Sequence, residues 1–151
     1  MGKGETMFLG QYDHHVDAKG RLIIPSKFRE DLGTKAILSK GLDGCLFLFP
    51  LEEWESLADK LKSLPLGRSE ARSFTRYFFS SAIELECDKQ GRIMIPTHLK
   101  EYAKIEKNVT VVGVSSRVEI WNSDIWYDGE LTAEDISAHA ESLAELLGDN
   151  F

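Results

Sequence analysis

Apolar and polar positions along this chain follow two rhythms, and the rhythm changes at prolines. Leu22-Ile23-Ile24 and Ile93-Met94-Ile95 are short apolar runs suited to buried strands. Pro25 and Pro96 follow them at once. Proline suits the first turn of a helix, where its missing N–H costs nothing, so short helices are predicted over 27–32 and 98–103. Further apolar stretches predict strands near 36–39 and 45–49, and again near 110–113 and 117–121. Between them Leu51, Trp54, Leu57, Ala58, Leu61 and Leu64 recur at helical spacing until Pro65-Leu66-Gly67 breaks the pattern. A second helix is predicted over 68–79 and a third over 131–147. The third has Thr132 as N-cap, Asp135 three residues on, and an apolar face of Ile136, Ala140, Leu143 and Leu147.

The two proline-ended runs belong to an internal repeat. Residues 17–25 read Asp-Ala-Lys-Gly-Arg-Leu-Ile-Ile-Pro, and residues 88–96 read Asp-Lys-Gln-Gly-Arg-Ile-Met-Ile-Pro, at an offset of 71. Glu30 meets Glu101 at the same offset. One inserted residue later, Gly41 meets Gly113, Leu46 meets Val118, Leu48 meets Ile120 and Trp54 meets Trp126. Each copy predicts the order β-β-α-β-β, with Asp-x-x-Gly-Arg as a hairpin-like turn whose glycine is free to take a positive φ. Copies this small are marginal alone, so they are expected to pack on each other as one pseudo-two-fold barrel with interleaved hairpins. The predicted class is mixed α/β (α+β). Its divisions are a disordered extension over 1–6, a first half over 7–54, connecting helices over 55–78, a second half over 79–126, and a C-terminal helix and frayed tail over 127–151.

Charge changes the picture only when it is divided. The net charge is −7, which taken whole disfavours nucleic acid. Residues 1–50 carry seven Lys/Arg against six Asp/Glu, residues 51–100 eight against eight, and residues 101–151 three against eleven. The acidity sits in the last third, leaving room for a basic face elsewhere. No apolar run approaches the roughly 20 residues of a membrane span, and the short polar start predicts no signal peptide, so a cytoplasmic protein without a membrane partner is expected. Cys45 and Cys87 lack zinc-site spacing and read as small buried thiols. His14 and His15 adjoin on a strand and must face opposite ways, which argues against a shared metal. No phosphate-binding loop, nucleophile elbow or metalloprotease motif occurs, and no carboxylate pair is offered as acid and base. Neither catalytic activity, a small-molecule substrate, a metal nor a cofactor is therefore expected.

The chemistry that remains is basic. Arg21 and Arg92 end the two turns, and arginine bridges two acceptors of guanine or clamps a phosphate. Lys19 and Lys89 add compact charges inside the turns. Lys27 and Arg29 continue the track along the first short helix, whose start adds backbone N–H donors. Asp17 and Asp88 read as organisers of the loops, with Gly20 and Gly91, because carboxylates repel phosphate. Asp, Gly and Arg are also good turn formers, so an Asp17–Arg21 pair could simply staple its own hairpin. Arg68, Arg72 and Arg76 form a stripe read as a solvated face or a subunit contact. Trp54, Trp121, Trp126 and Tyr127 read as core or interface.

Met7-Phe8-Leu9-Gly10 followed by residues 17–30, Asp-Ala-Lys-Gly-Arg-Leu-Ile-Ile-Pro-Ser-Lys-Phe-Arg-Glu, resembles the opening of the MraZ family, within the AbrB-like swapped-hairpin group of transcription factors. Asp88 to Arg92 with Ile95-Pro96 resembles the family's second copy, and the likeness runs from Met7 through nearly the whole chain. The resemblance implies a sequence-specific regulator, often a repressor, that binds short direct repeats in double-stranded DNA upstream of a division and cell-wall gene cluster, in association with the nucleoid. It implies DNA contact at Asp17 to Arg21 and, in the second copy, at Asp88 to Arg92, where Gln90 replaces Lys19. It also implies ring-shaped homo-oligomers of about eight or more subunits. In a ring, several weak loops act along one duplex, and linkage raises affinity by roughly 10²–10⁴ per site. The rival expectation is a non-catalytic ring-forming assembly module.

Overall fold

Prolines and glycines set the element boundaries. The computed structural model describes residues 6–148. The expected extension at 1–6, apart from Thr6, and the frayed end beyond Gly148 lie outside the described residues. The first copy folds as β1 (Gln11–His15), β2 (Arg21–Ile23), α1 (Ser26–Leu32), β3 (Lys35–Lys40) and β4 (Leu46–Pro50). Two helices follow, α2 (Leu51–Lys62) and α3 (Ser69–Ser81). The second copy repeats the order as β5 (Ile83–Glu86), β6 (Arg92–Met94), α4 (Thr97–Tyr102), β7 (Asn108–Val114) and β8 (Arg117–Asn122). The chain then runs through α5 (Ser123–Asp128), α6 (Ala133–Ser142) and α7 (Ala144–Leu147). Pro25, Pro50 and Pro96 each stand as the residue before a helix, their fixed φ delivering the chain into it.

The architecture is mixed α/β with antiparallel sheets. Six strands pair in the order β1-β7-β8-β4-β3-β5, while β2 and β6 form a ribbon of their own, with one isolated bridge from Leu22 back to Val16. Exchanging the copies turns this order into its own reverse, so the repeat in the sequence is a two-fold relation in space. Strands cross between copies: β1 lies on β7 and β5 on β3. The expected barrel is not closed by this pairing. The strands β1 and β5 end the large sheet, and β2 and β6 form a separate ribbon instead of bridging them.

Both copies feed one core. Leu22, Ile24, Phe28, Leu38 and Leu48 from the first pack with Ile93, Ile95, Leu99, Val111 and Ile120 from the second, all nearly or wholly buried. A smaller cluster, Cys45, Phe47, Phe49, Leu61 and Phe78, seats α2 and α3 against the outer face of β4. At roughly 1.5–3 kcal/mol per fully buried large side chain, the shared core is the main force joining the copies.

Three sequence expectations need correction. The runs around Ile23 and Met94 are not buried throughout: Leu22 and Ile24 are inside, but Ile23 is 45% and Met94 53% exposed. A ribbon strand alternates its faces, so the middle of an apolar run must point outward. The C-terminal helix is two helices, broken at Leu143. Its start is as expected, with Thr132 and Asp135 forming a reciprocal capping box, but Ile136 and Leu143 stay about half exposed. Helix α5 was not foreseen. Its signal is Asn122, whose side chain accepts from the Ile125 N–H.

Candidate nucleic-acid interface

Each copy presents one Asp-to-Arg loop, and the two are built alike. Asp17 Oδ1 accepts from the backbone N–H groups of Lys19 and Arg21, both at 2.9 Å, and Oδ2 accepts from Arg21 Nε at 2.7 Å. Gly20 takes φ 82°, open to a residue without Cβ, and its N–H returns to Asp17 O. In the second loop, Asp88 takes Gln90 N–H, Arg92 N–H and Arg92 Nε at 2.9, 2.9 and 2.8 Å, with Gly91 at φ 78°. The Arg21 N–H above all, with the Arg21 side chain and the Lys19 N–H, holds the Asp17 carboxyl below its ordinary value of 3.8 against a smaller opposing effect of burial. The matching groups of Arg92 and Gln90 do the same for Asp88.

These bonds run through Nε of each guanidinium, so the hairpin staple weighed from sequence is present in both loops. Arg21 and Arg92 side chains are 29% and 26% exposed.

The ribbon brings the two loops together. Arg21 lies opposite Met94, Leu22 opposite Ile93 and Ile23 opposite Arg92. Directly opposed residues share a face, so Arg21, Ile23, Arg92 and Met94 form the outer face while Leu22 and Ile93 enter the core. The two arginines stand on a diagonal, about 7–8 Å apart across the strands. Backbone bonds lock the loops across the copies: Ile24 N–H donates to Gly91 O and Ile95 N–H to Gly20 O, each at 2.9 Å.

The other predicted residues divide. Lys19 and Lys89 are exposed within their loops, and Lys27 is exposed on α1. Lys27 and Arg29 line a shallow concavity with Ile23, Tyr12 and His14. Arg29 is committed elsewhere: its Nε donates to Ile24 O at 2.8 Å, and its guanidinium covers Gly91, where a Cβ would lie 2.2 Å from Cζ. Lys100 takes the equivalent place, its Nζ 3.5 Å from a Cβ position on Gly20. Sequence reasoning missed Lys100, although the offset of 71 from Arg29 marks it. The start of α1 adds less than expected, since the Phe28 N–H already bonds Pro25 O. Arg68 pairs with Glu70 and Arg72 donates to Leu66 O, away from the ribbon. His14 is half-buried and His15 exposed, on opposite faces of β1. Among the described residues no cluster of three or more His, Cys, Asp or Glu is placed to hold a metal, and no helix is long and apolar enough to cross a membrane.

Two fused copies that exchange strands and present paired arginines on a common ribbon define a class, a duplicated α/β module with one composite basic face. The family described as "MraZ protein, putative antitoxin-like" matches the chain twice, at residues 7–77 and 78–147. The chain is similar to proteins named Transcriptional regulator MraZ. That of Caldanaerobacter subterraneus subsp. tengcongensis is 54% identical over 145 residues, covering 96% of this chain and 99% of the relative. Those of Pelotomaculum thermopropionicum and Acetivibrio thermocellus are 56% and 57% identical, covering 93% and 92% of this chain and 97% and 95% of theirs. The chain belongs to the MraZ family.

Proposed function

We propose that this chain is a DNA-binding transcriptional regulator, acting in the cytoplasm at the nucleoid, that grips short direct repeats upstream of a division and cell-wall gene cluster and represses from there. The observation that carries the reading is the outward face of the β2–β6 ribbon, where the register brings Arg21 and Arg92 together on one diagonal. A two-stranded ribbon fits the major groove, about 12 Å wide, and arginine there bridges guanine O6 and N7. Lys19, Lys89 and Lys27 supply phosphate contacts, while Asp17 and Asp88, with Gly20 and Gly91, hold the loops in shape. The reading assigns no catalytic step and no cofactor. We take the interleaved ribbon and large sheet as a swapped-hairpin arrangement short of a closed barrel, with halves at 7–54 and 79–126 joined by 55–78 and followed by 127–151.

An acidic chain binds DNA when its basic face meets the duplex and its acidic helices lie elsewhere. The exposed Ile136, Leu143, Phe74 and Phe79 suit contacts between subunits, and a ring of about eight or more copies would set several ribbons along successive repeats. Repeats near one helical turn apart fit that arrangement. The test is a salt-dependent binding titration on duplex carrying the chain's own upstream repeats. Wild type is expected to bind with log K falling steeply with log salt, more tightly on several repeats than on one, and Arg21→Ala to abolish binding with the oligomer intact. Binding unchanged by Arg21→Ala would overturn the reading, and an intact ring without DNA binding would make the chain an assembly module.

A further inference from the structure

The ribbon's outer face carries two apolar side chains that the arginines do not explain. Ile23 and Met94 are 45% and 53% exposed in a strand pair whose other apolar members, Leu22 and Ile93, are 0% and 1% exposed. A ribbon made only to hold phosphate would gain from polar groups there. The placement is the same in both copies: the sequence runs Arg, buried, apolar-exposed along β2 and again along β6. Register sets Met94 directly opposite Arg21 and Ile23 directly opposite Arg92, with Cβ atoms about 4.5–5.5 Å apart. Each guanidinium therefore has an apolar neighbour across the ribbon and another two residues along its own strand.

Phosphate contacts fix position and carry no sequence information. In the major groove, the apolar feature a protein meets is the C5 methyl of thymine. Resting on the reading of this ribbon as the DNA-facing surface, we infer that Ile23 and Met94 are specificity residues that pack on thymine methyl groups beside the guanines held by Arg21 and Arg92. Two residues along a strand span about 6.6–6.8 Å, close to twice the 3.4 Å base step along one strand. The recognised thymines thus lie within about two base pairs of the arginine-bound guanines. The two-fold relation of the strands places the contacts on both sides of a pseudo-dyad. The copies differ in stringency. Isoleucine is β-branched and stiff, whereas methionine adapts its shape, so Ile23 discriminates more sharply than Met94.

The experiment replaces each thymine of the chain's own upstream repeats, one at a time, with deoxyuridine. That change removes the methyl group and keeps the pairing and O4. Wild type, Ile23→Ala, Met94→Ala and Arg21→Ala are titrated on each duplex. At one or more positions uracil is expected to weaken wild-type binding about fourfold, the factor that burial of one methyl gives. Ile23→Ala or Met94→Ala is expected to bind thymine and uracil equally there. Both side chains are exposed, so the variants should melt as wild type does, and the uracil scan on wild type needs no variant at all. If Arg21→Ala abolishes binding but no thymine is methyl-sensitive, or the sensitivity survives in both alanine variants, this inference falls and the regulator reading stands. If Arg21→Ala binds as wild type does, both fall.

Discussion

Gly20 and Gly91 occupy equivalent positions in the two loops, yet alanine should not cost the same at each. Both sit at positive φ, 82° and 78°, where an L side chain costs roughly 1–2 kcal/mol. At Gly20 a Cβ meets only ordinary contacts, 3.4 Å to Ile95 O and 3.5 Å to Lys100 Nζ and Met94 Sδ. At Gly91 it would lie 2.2 Å from Arg29 Cζ and 2.3 Å from Nε. Arg29 must then leave its seat and give up the 2.8 Å bond to Ile24 O, a net loss of about 1 kcal/mol. Gly91→Ala should therefore cost about 1 kcal/mol more than Gly20→Ala. The assay is urea unfolding at one fixed protein concentration, because assembly makes apparent stability concentration-dependent. In an Arg29→Ala background the excess should vanish, since nothing is left to displace, giving a coupling of about 1 kcal/mol in the double-mutant cycle. Equal costs at the two glycines, or an excess that persists without Arg29, would refute the placement of Arg29 over the second loop.

Two further outcomes follow from the loops and the core. The Asp17 and Asp88 carboxyls are held below 3.8 in the fold, so their support of the folded state is full above that value and is lost as pH falls through the lowered folded values. Side-chain carboxyl shifts followed by NMR should show both titrating below 3.8, and a midpoint above it for either would break the hydrogen-bond account. Burial foremost, with the nearby Glu119 charge, pushes the Cys45 thiol up, and the side chain is fully buried. An aromatic disulfide reagent at mildly alkaline pH should leave Cys45 unmodified until the protein unfolds, and rapid native labelling would show the second cluster to be open.

Much of the architecture is legible because short-range signals mark it. The proline after each apolar run places α1 and α4, the repeat of Asp, Gly and Arg places two like loops, and Thr132 with Asp135 starts α6. What escapes the sequence is partnership. Nothing local tells β2 to pair with β6 rather than with a strand of its own copy, and that pairing decides which side of Leu22-Ile23-Ile24 is wet. Ile23 and Met94 read as core because hydrophobicity is visible and facing is not. Arg29 reads as a free cation because its occupation, the bare backbone of Gly91, lies in the other copy. Helix α5 was missed because its cap, Asn122, closes a strand with no proline or glycine between them.

The crossing of strands between copies sets an order of events during synthesis. Gln11 pairs with Val112, so the first strand must wait for a partner roughly a hundred residues further along. At about 5–20 residues per second on the ribosome, that wait lasts roughly 5–20 s. Throughout it β1 is an unpaired edge, and Leu22 lacks the Ile93 that shields it. Such distant pairing also raises contact order and slows folding. A nascent first copy has the complementary edges of another nascent first copy close by on the same message. The duplication that makes the finished chain self-contained thus leaves an interval in which a neighbouring chain can supply the missing strand.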